Sequence, residues 1–112
     1  RKITHYQMQA FAALLGKLQA TTDPTGASLL DRSLVFATSE YGEGWKHSVS
    51  EMGCLLAGKC NGALRPNVHV REPDGNFSKA QVTLLRALGL PTPSFGFNGG
   101  ETSAQFSELL AG

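Results

Sequence analysis

Two side chains in a polar segment of the chain, Glu40 and His47, have the types and the spacing to bind a divalent metal ion. A carboxylate is a hard oxygen donor and an imidazole is a borderline nitrogen donor, a combination that several divalent cations accept. Glycines at positions 42 and 44 let the intervening chain bend, so that the two donors can approach each other. We therefore predict that Glu40 and His47 contribute to a metal site, with zinc, calcium or magnesium as the ion.

Other polar side chains of this segment do not complete such a site. Glu43 is the candidate third ligand, but it would have to turn back past the following glycine, and a catalytic metal generally has three protein ligands. Ser39 and Ser48 could each lie beside His47, yet no G-x-S-x-G elbow is present, which argues against a serine hydrolase. A hydrogen-bonded loop without metal therefore stands as the alternative interpretation.

Two aromatic residues lie between the proposed ligands. Tyr41 and Trp45 are predicted to bind substrate or to cover the site, because an aromatic ring combines a large apolar face with a polar tip. Trp45 has a second interpretation, as an anchor against a neighbouring domain.

The polar segment joins two short apolar runs, SLVFAT at 33–38 and GCLLAG at 53–58. Continuous apolar runs of this length suit strands that are covered on both faces, as in the middle of an α/β sheet. The link of residues 39–52 is long enough for a parallel crossover, although its length does not fix the strand direction. Ligands of open α/β sheets bind beyond the carboxyl ends of strands, where this link begins.

Helical patterns flank the two runs. Apolar residues at helical spacing from about Ile3 to Ala20 predict an amphipathic helix with one stripe facing the core, and the TTDPTGAS segment ends it. A second helix is predicted from Ser78 to Leu88, with Ser78 as N-cap, Gln81 completing a capping box and Gly89 as the left-handed C-cap.

The remaining segments are shorter. A strand is expected around Val68 to Val70, and a short last helix is expected to start at Thr102. Phe95 and Phe97 are expected to pack their loop onto the core. These elements together predict an α/β fold with a short central sheet flanked by helices.

The two cysteines, Cys54 and Cys60, do not have the spacing of zinc or redox motifs. One interpretation is a buried cysteine in the strand and another cysteine in the following loop. The alternative is a local disulfide, which would indicate an oxidising compartment.

Composition sets broad limits on the class of protein. The 112 residues, 41% apolar and 17% charged, suit one globular domain over residues 1–112. A net charge of +1 with scattered basic residues gives no indication of nucleic-acid binding, and no apolar run is as long as a membrane span. Because the sequence opens inside a helical pattern without a starting Met, we expect a processed or excised piece of a longer protein.

The segment LLDRSLVFATSEYGEGWKHSVSEMGCLLAG resembles the carboxyl-terminal part of uncharacterised, exported bacterial proteins known as HxxSHH-motif proteins. QVTLLRALGLPTPSFG is similar to the helix and the FG segment that follow in that family, and TSEYG resembles the TSEFG of a related sulfatase-like family. The HxxSHH motif itself is absent from these residues. The resemblance implies an exported protein, periplasmic or extracellular.

Those families are similar in turn to the alkaline phosphatase and sulfatase superfamily, in which a strand ends in Asp-His-Gly and a later His-Ser or His-Thr supplies further metal ligands. Glu40, Tyr41 and Gly42 fall at the first motif, and His47-Ser48 falls at the second. Tyr41 does not readily replace an imidazole ligand. The resemblance thus implies the carboxyl-terminal lobe of an alkaline-phosphatase-like α/β/α sandwich, whose nucleophile and other ligands lie in an amino-terminal part outside this chain.

Two functions follow from these observations. The first is a metal-dependent hydrolase of phosphate or sulfate esters, active only together with the missing amino-terminal part or another subunit. The second is a non-catalytic binding or assembly module that keeps the fold without metal. In both cases we expect the chain to be associated with its other half, with itself or with another protein, because half a sheet leaves an uncovered edge and face.

Overall fold

The computed structural model describes residues 1–112 as a mixed α/β arrangement of helices and a small two-stranded sheet. The general α/β prediction is confirmed at this level. In chain order the elements are helix α1 (Lys2–Ala20), helix α2 (Leu29–Arg32), strand β1 (Val35–Thr38), strand β2 (Cys54–Ala57), a 3-10 turn (Cys60–Gly62), helix α3 (Ser78–Ala87) and a second 3-10 turn (Ser107–Leu109).

Helix α1 forms where the apolar spacing predicted it, but it contains no buried residue. Only Phe11, Leu15 and Leu18 are half-buried, on the side that packs against α2. The expectation that the whole apolar stripe faces a core is therefore wrong for Ile3 and Leu14, which are exposed. The physical reason is that α1 has no second layer of structure above it.

The turn between α1 and α2 is built by Asp23 as predicted for the TTDPTGAS break. Its carboxylate accepts hydrogen bonds from the amides of Thr25 and Ala27 and from the Nε of Arg32. Ser28 then caps α2 by accepting from the Asp31 amide at 3.0 Å. This turn sends the chain back along α1 and into β1.

The two strands pair antiparallel, with Val35 opposite Ala57 and Thr38 opposite Cys54. The link between them is therefore a long hairpin loop and not a parallel crossover. The strands are half-buried or exposed along their length, so the prediction that both faces are covered is also wrong. Phe36 and Phe77 approach to 6.4 Å between ring centroids, which brings the start of α3 against the sheet.

Helix α3 is the most buried element, through Ala80, Val82, Thr83 and Ala87. Its predicted cap is different from the observed one: Phe77 is the N-cap residue, and Asn76 Oδ1 accepts the hydrogen bond from the Ser78 amide. Gln81 does not complete a capping box, since its Oε1 has no partner. The C-cap prediction is confirmed, because Gly89 has a φ of 80°.

A small core lies between α3, the first 3-10 turn and the chain end. Cys60, Leu64 and Ala87 form it, and Leu34 and Leu110 pack against them. Both cysteines are free, so the disulfide alternative is not found, and it is Cys60 of the turn that is buried while the strand cysteine, Cys54, is exposed.

Three further local predictions are wrong. Residues 68–70 form no strand because no other strand pairs with them. The last helix is a single 3-10 turn, Ser107–Leu109, since the chain beside it bridges Leu64 to Leu110. Phe95 and Phe97 are 43% and 77% exposed and do not pack their loop onto the core.

The whole molecule is flat, with extents of 44 × 39 × 21 Å. Its radius of gyration is 15.3 Å, whereas a compact domain of this length has about 13 Å. None of its helices combines the length and the apolar character needed to cross a bilayer.

Candidate functional site

The loop from Ser39 to Met52 folds back on itself through backbone hydrogen bonds. Glu43 and Ser48 form an antiparallel bridge, and the Gly42 amide donates to the Ser48 carbonyl at 2.8 Å. The Lys46 amide closes the tip by donating to the Glu43 carbonyl at 3.2 Å. The second half of the loop is thereby returned to the place where its first half leaves β1.

This closure places His47 against Tyr41. Their rings are stacked, with centroids 4.8 Å apart and planes inclined by 18°. His47 has a φ of 50°, in the left-handed region, so the backbone turns sharply at the imidazole. The stack fixes the imidazole beside the residue that directly follows Glu40.

Gly42 is required for this arrangement. A Cβ at position 42 would overlap the carbonyl oxygen of Ser50, so no other residue fits without opening the loop. Gly44, at the tip, has open space where its Cβ would be. Both glycines were predicted to let the loop bend. Close packing requires a glycine at position 42, whereas position 44 has room for a side chain.

Glu40 and His47 are both exposed, and no ion pair of the chain includes the Glu40 carboxylate. A carboxylate and an imidazole that are accessible and uncommitted suit a site in which the ion bridges this chain to other ligands. No group of three or more His, Cys, Asp or Glu side chains in the chain could hold a metal ion. The residues thus fit part of a coordination shell and not a complete one.

The other predicted site residues are engaged elsewhere. The Glu43 carboxylate pairs with Lys46 at 3.1 Å, so it is not aimed at Glu40 and His47 as a free third ligand. The Ser39 hydroxyl donates to the Tyr41 carbonyl, and the Ser48 hydroxyl accepts from the Ser50 amide, so neither is hydrogen-bonded to His47.

Trp45 lies at the tip of the loop and is 81% exposed. The Lys46 ammonium lies 4.6 Å from the centroid of the indole ring, which is a cation–π contact. This exposure is compatible with both interpretations of Trp45, a lid over the site and an anchor against another surface.

The base of the loop is held by contacts at both ends. The Thr38 hydroxyl donates to the Gly53 carbonyl at 2.9 Å, across the last pair of the sheet. Glu51 forms an ion pair with Arg71 at 2.9 Å, which ties the end of the loop to the following segment. The loop is therefore attached to the body at its base and free at its tip.

An open groove of about 460 Å³ lies between this loop and α3, and the sequence interpretation missed it. Val49 and Met52 line it from the loop, Phe77 lines it from the start of α3, and Asp74 lies on its wall. The available signal was a pair of apolar residues, Val49 and Met52, in an otherwise polar loop.

No family model, curated protein or solved structure matches this chain.

Proposed function

We propose that the chain is the carboxyl-terminal lobe of an exported alkaline-phosphatase- or sulfatase-like protein and supplies Glu40 and His47 to a divalent metal site shared with other polypeptide. The observation that carries the proposal is the stack of Tyr41 on His47 at 4.8 Å, which holds the imidazole beside the residue that directly follows Glu40. Two metal donors that are seven residues apart in sequence are thereby held in one small loop.

The chain's own residues would orient the ion. Glu40 would offer a carboxylate oxygen and His47 a ring nitrogen, while Tyr41 would keep the imidazole from rotating. A bound divalent ion supplies Lewis-acid polarisation of a phosphoryl or sulfuryl oxygen. The remaining ligands and the nucleophile would come from outside the chain, so we expect the isolated chain to have no hydrolytic activity.

A second function, a non-catalytic binding or assembly module, is favoured by a different observation. Tyr41 occupies the position of an imidazole ligand in the resembled motif, and its ring is committed to the stack with His47. In this alternative, Glu40 and His47 stabilise and solubilise the loop, and its exposed Trp45 contacts a partner.

Zinc titration of the chain by calorimetry distinguishes the two functions. Glu40→Ala and His47→Ala should each weaken zinc binding at least about tenfold, which corresponds to about 1.4 kcal/mol. Glu108→Ala and His69→Ala are the matched controls, because they remove an exposed carboxylate and an exposed imidazole from other segments.

Equal zinc affinity in all four variants and the parent chain, together with equal metal content of the same variants in a longer polypeptide that carries this chain, would contradict the metal proposal and leave the assembly module. The same four substitutions in a longer polypeptide that carries this chain should show the same pattern in metal content by elemental analysis. Loss of metal there with Glu40→Ala and His47→Ala alone supports a shared site.

A further inference from the structure

Helix α1 carries an apolar stripe that nothing in the chain covers. Ile3 is 75% exposed, Tyr6 is 72% exposed and Leu14 is 48% exposed. With Ala10 they are spaced three, four and four residues apart, so they share one face of the helix. The half-buried residues of α1 lie on its other apolar side, against α2, and this stripe faces outward.

The charged residues at the two ends of this stripe are all positive. Lys2 precedes Tyr6 by four residues and Lys17 follows Leu14 by three, which places a lysine on the same face at each end. The first acidic residue of the chain is Asp23, beyond the helix. All ion pairs of the chain lie outside α1, so these lysines are free to pair with carboxylates of another molecule.

The groove beside α3 has the complementary character. Val49, on its rim, is 72% exposed, and Met52 and Phe77 continue the apolar lining. Asp74 lines the same groove without an ion-pair partner, and Glu101 accepts a hydrogen bond from Gly99, another lining residue. The groove thus combines three apolar side chains with one carboxylate in its lining and a second carboxylate, that of Glu101, next to it.

The amount of exposed surface suits two such contacts. The chain exposes 8025 Å², whereas a compact monomer of 11.9 kDa exposes about 5,900 Å². The excess is about 2,000 Å², and a stable interface buries about 800 Å² of each partner. Two interfaces per copy, one through α1 and one through the groove, fit within this excess.

We propose that α1 of one copy of this chain docks into the Val49–Met52–Phe77 groove of a second copy, in a head-to-tail arrangement. Pairing α1 with α1 would bring like-charged lysines together, and pairing groove with groove would bring carboxylates together. Only docking of the α1 stripe into the groove of another copy brings lysines to carboxylates and apolar side chains to apolar side chains. Heterologous contacts of this kind close into rings or continue as open assemblies.

This inference goes beyond the proposed metal site and does not depend on it. Glu40 and His47 take no part in the docking, so zinc binding can fail while association succeeds, and the reverse. The two outcomes are therefore separable in the same preparation.

Sedimentation velocity of the 112-residue chain and of two variants tests the arrangement. Tyr6→Glu disables the stripe and leaves the groove intact, whereas Val49→Lys disables the groove and leaves the stripe intact. Both residues are exposed, so their replacement should leave the far-ultraviolet circular dichroism unchanged. We expect the parent chain to associate with increasing concentration, and each variant alone to weaken that association at least about tenfold.

A mixture of the two variants provides the decisive arm. In a head-to-tail arrangement the intact α1 of the Val49→Lys chain fits the intact groove of the Tyr6→Glu chain, so the mixture should form 1:1 dimers and nothing larger. Leu90→Glu is the matched control, because Leu90 is 51% exposed and belongs to neither surface. That variant should associate like the parent chain.

Several results would overturn the proposal. They are a parent chain that stays monomeric over the whole concentration series, a mixture that stays monomeric while the parent associates, and equal loss of association in Leu90→Glu. Binding of α1 to anionic lipid vesicles by a chain that does not self-associate would likewise replace it. If either variant loses helicity, Lys17→Glu and Met52→Lys replace the pair, with the same expected outcomes, because Met52 also lines the groove.

Discussion

Asp23 is the side chain with the most local hydrogen bonds, and it controls the turn that reverses the chain after α1. It accepts from the amides of Thr25 and Ala27, from the Thr25 hydroxyl and from Arg32. These bonds favour the ionised form, chiefly those from Thr25 and then from Arg32. They lower the pKa of Asp23 from 3.8 to about 2.

The lowered pKa makes the stability of the turn depend on pH in one direction. The carboxylate stabilises the folded state above about pH 4, and this contribution is lost as the pH falls through about 2. Asp23→Asn should therefore lower the melting temperature at neutral pH, and its difference from the parent chain should vanish near pH 2. Thermal unfolding by circular dichroism from pH 2 to 7 measures this, with Asp74→Asn as the control. A difference between Asp23→Asn and the parent that is independent of pH would contradict the assignment.

Gly42 makes the candidate site sensitive to a single methyl group. Gly42→Ala should open the loop, because the new Cβ overlaps the Ser50 carbonyl, and we expect a cost of roughly 1–3 kcal/mol. The His47 ring protons should lose the shift caused by the Tyr41 ring, which NMR detects directly. Gly44→Ala is the matched control and should keep that shift. Unchanged His47 resonances in Gly42→Ala would show that the stack does not depend on the loop closure.

At the scale of elements, one buried hydroxyl joins α3 to the chain end. Thr83 is fully buried, its hydroxyl donates to the Lys79 carbonyl, and it accepts from the Phe106 amide at 2.9 Å. Thr83→Val keeps the shape and leaves that amide unpaired, so we expect a loss of about 1–3 kcal/mol in the free energy of unfolding. Urea unfolding measures it, and Thr4→Val on the exposed face of α1 is the control. Equal stability of the Thr83→Val chain and the parent would mean that water replaces the bond.

The two long helices could be predicted from the sequence because their signals are local. Apolar spacing located α1 and α3, and the predicted last residue of α3, Leu88, lies one residue past the observed one, Ala87. The strand expected at residues 68–70 failed because strands need a partner, and alternation of Val68, His69 and Val70 carries no information about one. The predicted burial of the two strands and of the α1 stripe was wrong for a similar reason. An apolar run shows which residues could be covered but not whether another element covers them.

The candidate site was predictable in its residues and not in its geometry. Glu40 and His47 could be identified by type and spacing. The stack of Tyr41 on His47 depends on the Glu43–Ser48 bridge and on the left-handed backbone at His47, and neither leaves a sequence signal. The Glu43 carboxylate pairs with Lys46 and is therefore not a free metal ligand, and the sequence does not show which exposed charge it pairs with.

At the scale of the whole molecule, little surface is removed from water. A domain of 112 residues ordinarily has a heat-capacity change on unfolding of about 1.3–1.7 kcal/mol/K, because that change follows apolar burial. With a flat shape and a small core, the chain should fall below about 1.3 kcal/mol/K in calorimetry at low concentration. A value inside the ordinary range at low concentration would contradict the open arrangement. A rise with concentration would accompany docking between copies.

Only six of the 112 residues are buried, and most of those belong to α3. A chain with so few buried residues should tolerate amino-acid substitutions at nearly every position, because few side chains are surrounded by neighbours on all sides. In a saturating library selected for folding alone, intolerant positions should concentrate on α3, on the crowded glycines 42, 58 and 96, and on Asp23. The same library selected for assembly should add the outer stripe of α1 and the Val49–Met52–Phe77 groove, so that the contrast between the two selections outlines both docking surfaces.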